Sequence, residues 1–283
     1  MNSATPASEK AVPQGSPLWY ALLFTPSQHK EKVALLLDLR AEILAAAREP
    51  SEPMVAQARL DWWRAELSGF GSGKEQHPLT RKLAAVDTRA AVQAEYLLEL
   101  VDAAQSELTA SPCGNYAELS LYCYRSSGVL HEMLAGLLGL RDPANERAVR
   151  RHAQRLGTGV ALVDIIATLR SDLAAERRLL PRDWIAETGA VEQVEPDGRM
   201  DVALATCLDR IAGEARRALD EAEALLPPGE WPRQRPGLVL AALYRRHLAK
   251  LHAHEFNPQA LPGNLQNTWL AWRAARRAAK ARV

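Results

Sequence analysis

The chain has 283 residues, with 35 Lys+Arg against 34 Asp+Glu, 47% hydrophobic residues and 6% aromatics, the profile of one large or two small globular domains. A net charge of +1 leaves no basic excess for coating nucleic acid, so no nucleic-acid partner is expected. The basic charge is local: Trp231 to Val283 hold ten Lys/Arg and one acid, Glu255, for +9, leaving 25 basic and 33 acidic residues, or −8, over the first 230.

Residues 1–16 lack the apolar core of a signal peptide and read as a disordered tail, with 17–283 as one helical domain. A helix over about 26–48 opens at Pro26-Ser27, carries Val33, Leu36, Leu37, Leu39, Ile43 and Leu44 on a broad apolar side, and stops before Pro50. Ser51-Glu-Pro restarts the chain into a helix that turns Leu60, Trp63 and Leu67 inward before the break at 69–73. Further helices are expected near 77–86, 89–109, 116–140, 143–170, 200–226, 236–254 and 265–282, with turns at Pro112-Cys-Gly, Asp142-Pro, Glu195-Pro-Asp-Gly and Leu226-Pro-Pro-Gly. Strand signals are nearly absent, so the fold class is all-α. The longest apolar stretch, Gly159 to Leu169, falls short of the ~18 residues a membrane span needs and contains Asp164. Cys113, Cys123 and Cys207, odd in number and without C-x-x-C spacing, argue against a disulfide framework or a thiolate zinc site and for a reducing compartment. The expected location is cytoplasmic, with peripheral attachment at the inner face of the membrane left open.

Several constellations carry chemistry. Asp38 and Glu42 stand at i,i+4, and Asp164, Thr168 and Asp172 repeat that spacing on the most apolar helix, where a carboxylate needs a partner. Paired acidic helices can hold Mg²⁺ against a diphosphate, while carboxylates at this spacing also arise on solvated faces, paired with neighbours such as Arg40 and Arg170. Ser126-Ser127-Gly128 interrupts a Leu/Ala helix where nothing demands a turn, which favours close helix approach or a ligand. Cys123, with His131 eight residues on and no orienting group, reads as packing. His247, His252 and His254 lack the spacing of a metal site. Arg177 and Arg178 can clamp a phosphate or compensate a helix C-terminus. On the last helix Trp269 and Trp272, beside the basic residues from Arg273 to Arg282, suit an anionic membrane surface or an acidic protein partner; as the alternative, both tryptophans are core.

Together these residues resemble the squalene/phytoene synthase family. Tyr122-Cys-Tyr-Arg-Ser-Ser-Gly128 is similar to its YCYxVAG segment, and Asp164 to Asp172 followed by Arg177-Arg-Leu-Leu-Pro181 aligns without gaps on NILRDxxED…GRxYLP. Ser51-Glu-Pro-Met, Arg59 to Leu67 and the Trp269…Trp272-Arg-Ala-Ala-Arg-Arg ending resemble a divergent branch that includes a mitochondrial respiratory complex I assembly factor. The resemblance implies a single-domain isoprenoid synthase-type bundle around a central cavity that takes an isoprenoid or lipid tail. It also implies ligand-binding roles for Tyr122, Arg125, Ser126, Ser127, Gly128, His131, Asp164 and Arg177, and, if this chain is an enzyme, Mg²⁺ at Glu42 and Asp172.

The departures from the family pattern point away from ordinary catalysis. The first Asp-rich motif, DDxxD, falls at Leu44-Ala-Ala-Ala-Arg48, where none of its three carboxylates is present and Glu42 is the nearest acid. In the second motif Thr168 replaces the first Asp, Asp164 takes the Asn position, Ala161 the Gln position, and only Asp172 remains. One or two carboxylates hold a hard cation weakly. The expectation is a non-catalytic member acting by binding, in assembly of a membrane-associated respiratory complex; the alternatives are a Mg²⁺-dependent prenyltransferase on farnesyl or geranylgeranyl diphosphate, using Glu42, Asp164, Asp172 and Arg177, and a plain helical interaction scaffold with a filled interior.

Overall fold

Proline and capping side chains set most helix starts. Ser16 Oγ accepts from Trp19 N–H at 3.1 Å with Pro17 beside it, Pro53 begins the third helix, the His77 ring accepts from Leu79 N–H beside Pro78, and Asn115 accepts from Glu118 N–H. The computed structural model describes residues 7–86, 91–108, 113–193, 200–256 and 264–280. In chain order its α-helices are α1 (Pro17–Leu22), α2 (Ser27–Arg48), α3 (Pro53–Ser68), α4 (Pro78–Ala85), α5 (Ala94–Leu108), α6 (Tyr116–Cys123), α7 (Val129–Leu138), α8 (Glu146–Ala174), α9 (Arg182–Thr188), α10 (Val202–Leu225), α11 (Arg235–Ala253) and α12 (Asn264–Lys280). No strand occurs among the described residues.

Two large apolar cores build the single domain. One gathers α8, α10 and α11 around Leu162, Ile166, Leu208, Ile211, Leu219 and Val239. The other gathers α2, α3, α5 and α7 around Leu36, Leu39, Ile43, Leu60, Leu97 and Met133. Small residues let the first core close: a Cβ added at Gly159 would lie 2.7 Å from Leu219 Cγ, so α8 and α10 approach as closely as only glycine permits. Loops are anchored by buried carboxylates, with Glu230 accepting from the Arg141 and Asp142 backbone N–H groups and from Asn145 Nδ2 at 2.8–3.0 Å.

Four features differ from the sequence expectations. Residues 7–16, expected to be disordered, pack on α2: Val12 is 4% exposed, Ser8 N–H donates to Asp38 at 2.8 Å, and Lys10 pairs with Glu42 and Glu49. Residues 1–6 lie outside the described residues. The expected helix over 116–140 is interrupted by a π-helical turn, Tyr124–Gly128, where Val129 N–H reaches back to the Tyr124 carbonyl. Helix α8 runs to Ala174, past the expected end near 170, and α1 and α9 were not anticipated. The turns at Pro112 and at Glu195 to Gly198 fall on residues outside those described. All three cysteines are free thiols, and Cys123 and Cys207 are buried.

Candidate functional site

Charged side chains meet where the two cores abut. Arg40, Leu44 and Arg48 recur every four residues on α2 and so share one face. Arg48 forms a fork-like pair with Glu107 of α5, Nε to Oε2 at 2.7 Å and the second amine to Oε1 at 2.8 Å. The Glu107 side chain is only 2% exposed and also accepts from the Tyr122 hydroxyl of α6 at 2.8 Å. Burial opposes the charge on Arg48, but the Glu107 carboxylate more than offsets it and holds the guanidinium pKa above its ordinary value. Burial, with Glu107 second, pushes the Tyr122 phenol up, so it stays a donor.

Helix α8 supplies the opposing wall. Asp172 accepts from Arg177 Nε at 2.9 Å and from its terminal amine at 2.6 Å, and lies 2.6 Å from Thr168 Oγ1. The turn that brings Arg177 back onto its own helix passes through Glu176 with φ of 58°, and Arg177 N–H bonds the Asp172 carbonyl at 2.8 Å. About two turns earlier on the same helix, Asp164 accepts from the Tyr244 hydroxyl of α11 at 3.0 Å. Burial raises the Asp164 carboxyl to about 6, partly countered by the Tyr244 hydrogen bond and by Arg40 and Arg48. Burial in turn lowers the Arg40 pKa, countered by Asp164. Arg40, Arg48 and Arg177 therefore stand against Glu107, Asp164 and Asp172 in a charge-balanced seam.

The π-helical turn supplies acceptors at the bottom of this seam. Its wide backbone presents the Ser126 carbonyl to Arg40 Nε at 3.4 Å and the Ser127 carbonyl to His131 Nδ1 at 2.8 Å. Donation from Nδ1 to a carbonyl makes His131 the Nδ1–H tautomer, and its buried Nε2 has no partner among the described residues. Burial brings the His131 pKa down to about 4, so the ring is neutral at physiological pH. It borders an apolar hollow of about 40 Å³ together with Leu134, His152, Leu156, Gln234 and Leu240. A larger hollow of about 340 Å³ opens outward between residues 7–14, α1 and α2, and shares Leu22, Thr25 and Val33 with the first.

Residues 13–274 match the profile described as squalene/phytoene synthase. The chain belongs to the squalene/phytoene synthase family. Among the relatives of this squalene/phytoene synthase family member, phytoene synthase 2 of Solanum lycopersicum is 26% identical over 216 residues, which cover 74% of this chain and 68% of the relative. A phytoene synthase of Mycobacterium tuberculosis is 25% identical over 244 residues, covering 83% and 77%. Solved structures of a dehydrosqualene synthase in complex with ligand and of the squalene synthase HpnC from Alicyclobacillus acidocaldarius share the fold, with TM-scores of 0.75 and 0.70 at 17% and 19% identity. They cover 96% and 84% of this chain, and 92% and 89% of theirs is matched.

In this squalene/phytoene synthase family member, the residues do not fit the Mg²⁺ expected at the Asp-rich motifs. Where the first motif would turn carboxylates inward, Leu44 is apolar and Arg48 is cationic and paired; in the second, Asp172 is already engaged by Arg177. A divalent cation needs an excess of oxygen donors and negative charge, and this seam is balanced without it. Among the described residues no three His, Cys, Asp or Glu side chains are grouped to hold a metal.

Most of the sequence-predicted residues gather here, and two do not. Tyr122, Ser126, Ser127, His131, Asp164, Asp172 and Arg177 line the seam or its floor, while Gly128 packs its Cα against Gly157. Arg125 turns outward to Glu99 of α5 at 2.8 Å and Asp102 at 4.0 Å. Glu42 is two residues off the Arg40–Arg48 face, about 200° around the helix. It pairs with Lys10 at the surface, so the structure does not bring it to Asp172. Arg40, Glu107 and Tyr244 were not anticipated as parts of the site. The eight-residue spacing of Arg40 and Arg48 on one face of α2, with apolar Leu44 between them, is the signal that was available.

Proposed function

We propose that the protein is a non-catalytic squalene/phytoene synthase-like protein that acts by binding, with assembly of a membrane-associated respiratory complex as the role its branch implies. One observation carries this reading: Arg48, which the motif resemblance puts at the last carboxylate of DDxxD, is a cation already paired with Glu107. Ionising a prenyl diphosphate needs positive charge gathered on the leaving group, and this seam offers guanidinium groups that are already neutralised. The assembly role rests on the resemblance, and the charge-balanced seam is consistent with it because it leaves a stable helical scaffold.

A second reading, a Mg²⁺-dependent prenyltransferase acting on farnesyl or geranylgeranyl diphosphate, is favoured by Asp172 and Arg177 side by side in the seam and by relatives named phytoene synthases. The two readings separate in a pyrophosphate-release assay with both diphosphates and Mg²⁺. No release above the protein-free control is expected; sustained multiple turnover establishes the second reading instead.

A further inference from the structure

Helix α12 presents Leu265, Trp269 and Trp272 to solvent, while Leu270 and its small side chains pack against the protein. At about 100° per residue, Leu265, Trp269, Trp272 and Arg276 fall within about 60° of one another. Asn267, Ala271, Ala274, Ala275 and Ala278 form the opposite face, buried or half-buried against the bundle. Leu265 is 87% exposed, Trp269 54% and Trp272 50%. The tryptophans are thus an outward stripe, which overturns the alternative that both are core.

The charges on this stripe are of one sign. Between Asn264 and Lys280 the ionisable residues are Arg273, Arg276, Arg277 and Lys280, with no acid. Arg273 stacks over Trp269 with 5.3 Å to the ring centroid, and Arg276 over Trp272 with 4.7 Å. Arg277 turns inward, toward the Trp231 ring and Glu223. Among the described residues, only the guanidinium groups of Arg273 and Arg276 lie over this ridge of two half-exposed indoles and a leucine, which otherwise faces water. A bilayer interface provides cover of the matching kind: indoles seat at the headgroup level, the leucine enters the acyl boundary, and guanidinium groups stacked on the indoles lie at lipid phosphates.

We propose that the outward face of α12 is a docking surface for an anionic lipid bilayer, on which Leu265, Trp269 and Trp272 insert and Arg273, Arg276 and Lys280 pair with headgroups. The helix lies in the plane of the interface and does not cross it; none of the described helices is long and apolar enough to span a membrane. Charge complementarity selects anionic over neutral lipid. This surface is independent of the interior seam, so it stands or falls separately from the proposed function.

The test is co-sedimentation of the full chain with vesicles of phosphatidylcholine alone and of phosphatidylcholine with about 30% phosphatidylglycerol, whose charge gives the surface a negative potential. The account expects binding to the anionic vesicles at least about tenfold tighter than to neutral ones. Trp269→Ser/Trp272→Ser should weaken anionic binding by about tenfold or more at unchanged circular dichroism, since the replaced rings support no core. Arg273→Gln/Arg276→Gln should reduce the preference for anionic lipid by about tenfold or more, leaving the share held by Lys280. Failure to bind vesicles, equal binding by the tryptophan double variant, or retention on immobilised polyglutamate without vesicle binding overturns the proposal, the last assigning the face to an acidic protein.

Discussion

Replacing Arg48 with alanine should lower the free energy of unfolding by about 2–4 kcal/mol, measured by urea denaturation at neutral pH. Glu107 would remain almost fully buried with only the Tyr122 hydroxyl to compensate it, because its two strongest hydrogen bonds come from the Arg48 guanidinium. Removing one partner from a fully buried pair costs about 3–5 kcal/mol; the expected figure is lower because the Arg48 side chain keeps part of its surface in solvent. The double variant Arg48→Ala/Glu107→Gln should recover a large part of the loss, since a neutral amide can still accept from Tyr122 and no longer needs a counter-charge. A loss below about 0.5 kcal/mol for Arg48→Ala would show that the pair is an ordinary solvated contact.

Gly157→Ala should be similarly damaging for a different reason. An alanine Cβ there would lie 2.5 Å from the Ser127 carbonyl oxygen and 2.8 Å from Gly128 Cα, both backbone atoms of the π-helical turn or its edge. Flexible side chains can rotate away from such a contact and backbone cannot, so α8 must move off the turn that holds Arg40 and His131. A loss of about 3 kcal/mol is expected, at the upper end for overpacking. Gly213→Ala provides the opposite sign on the same chemistry. It sits within α10 with nothing within 4 Å of a new Cβ, so alanine should stabilise by about 0.4–1 kcal/mol through the unfolded chain and helix propensity. Thermal melts of the two variants that shift in the same direction would contradict the packing described for α8.

Helical class and most element positions were legible because apolar periodicity, proline and capping residues are local signals. The π-helical turn was half legible: Ser126-Ser127-Gly128 announced an irregularity, but whether it becomes a turn, a bulge or a ligand contact depends on what packs against it, here Gly157 and Arg40. The ion pairs were not legible, because Arg48 and Glu107 are 59 residues apart and Asp164 and Tyr244 are 80 apart, and nothing local encodes such a meeting. Rotation of a helix about its axis is equally hidden. Glu42 satisfied every spacing argument and faces Lys10 instead of Asp172. On α12 the periodicity placed the tryptophans on one face and the alanines on another without saying which faces inward; the alanines do, because small side chains let α12 lie close against α11.

On the proposed reading, a charge-balanced seam stands where a synthase would hold a metal-bound diphosphate. Calorimetric titration of the purified protein with a non-hydrolysable farnesyl diphosphate analogue, with and without Mg²⁺, tests it most directly. The account predicts no binding, or binding indifferent to Mg²⁺, because Arg48 and Arg177 already neutralise the carboxylates a cation would need. Saturable binding that appears only with Mg²⁺ would contradict it and restore the site to catalysis.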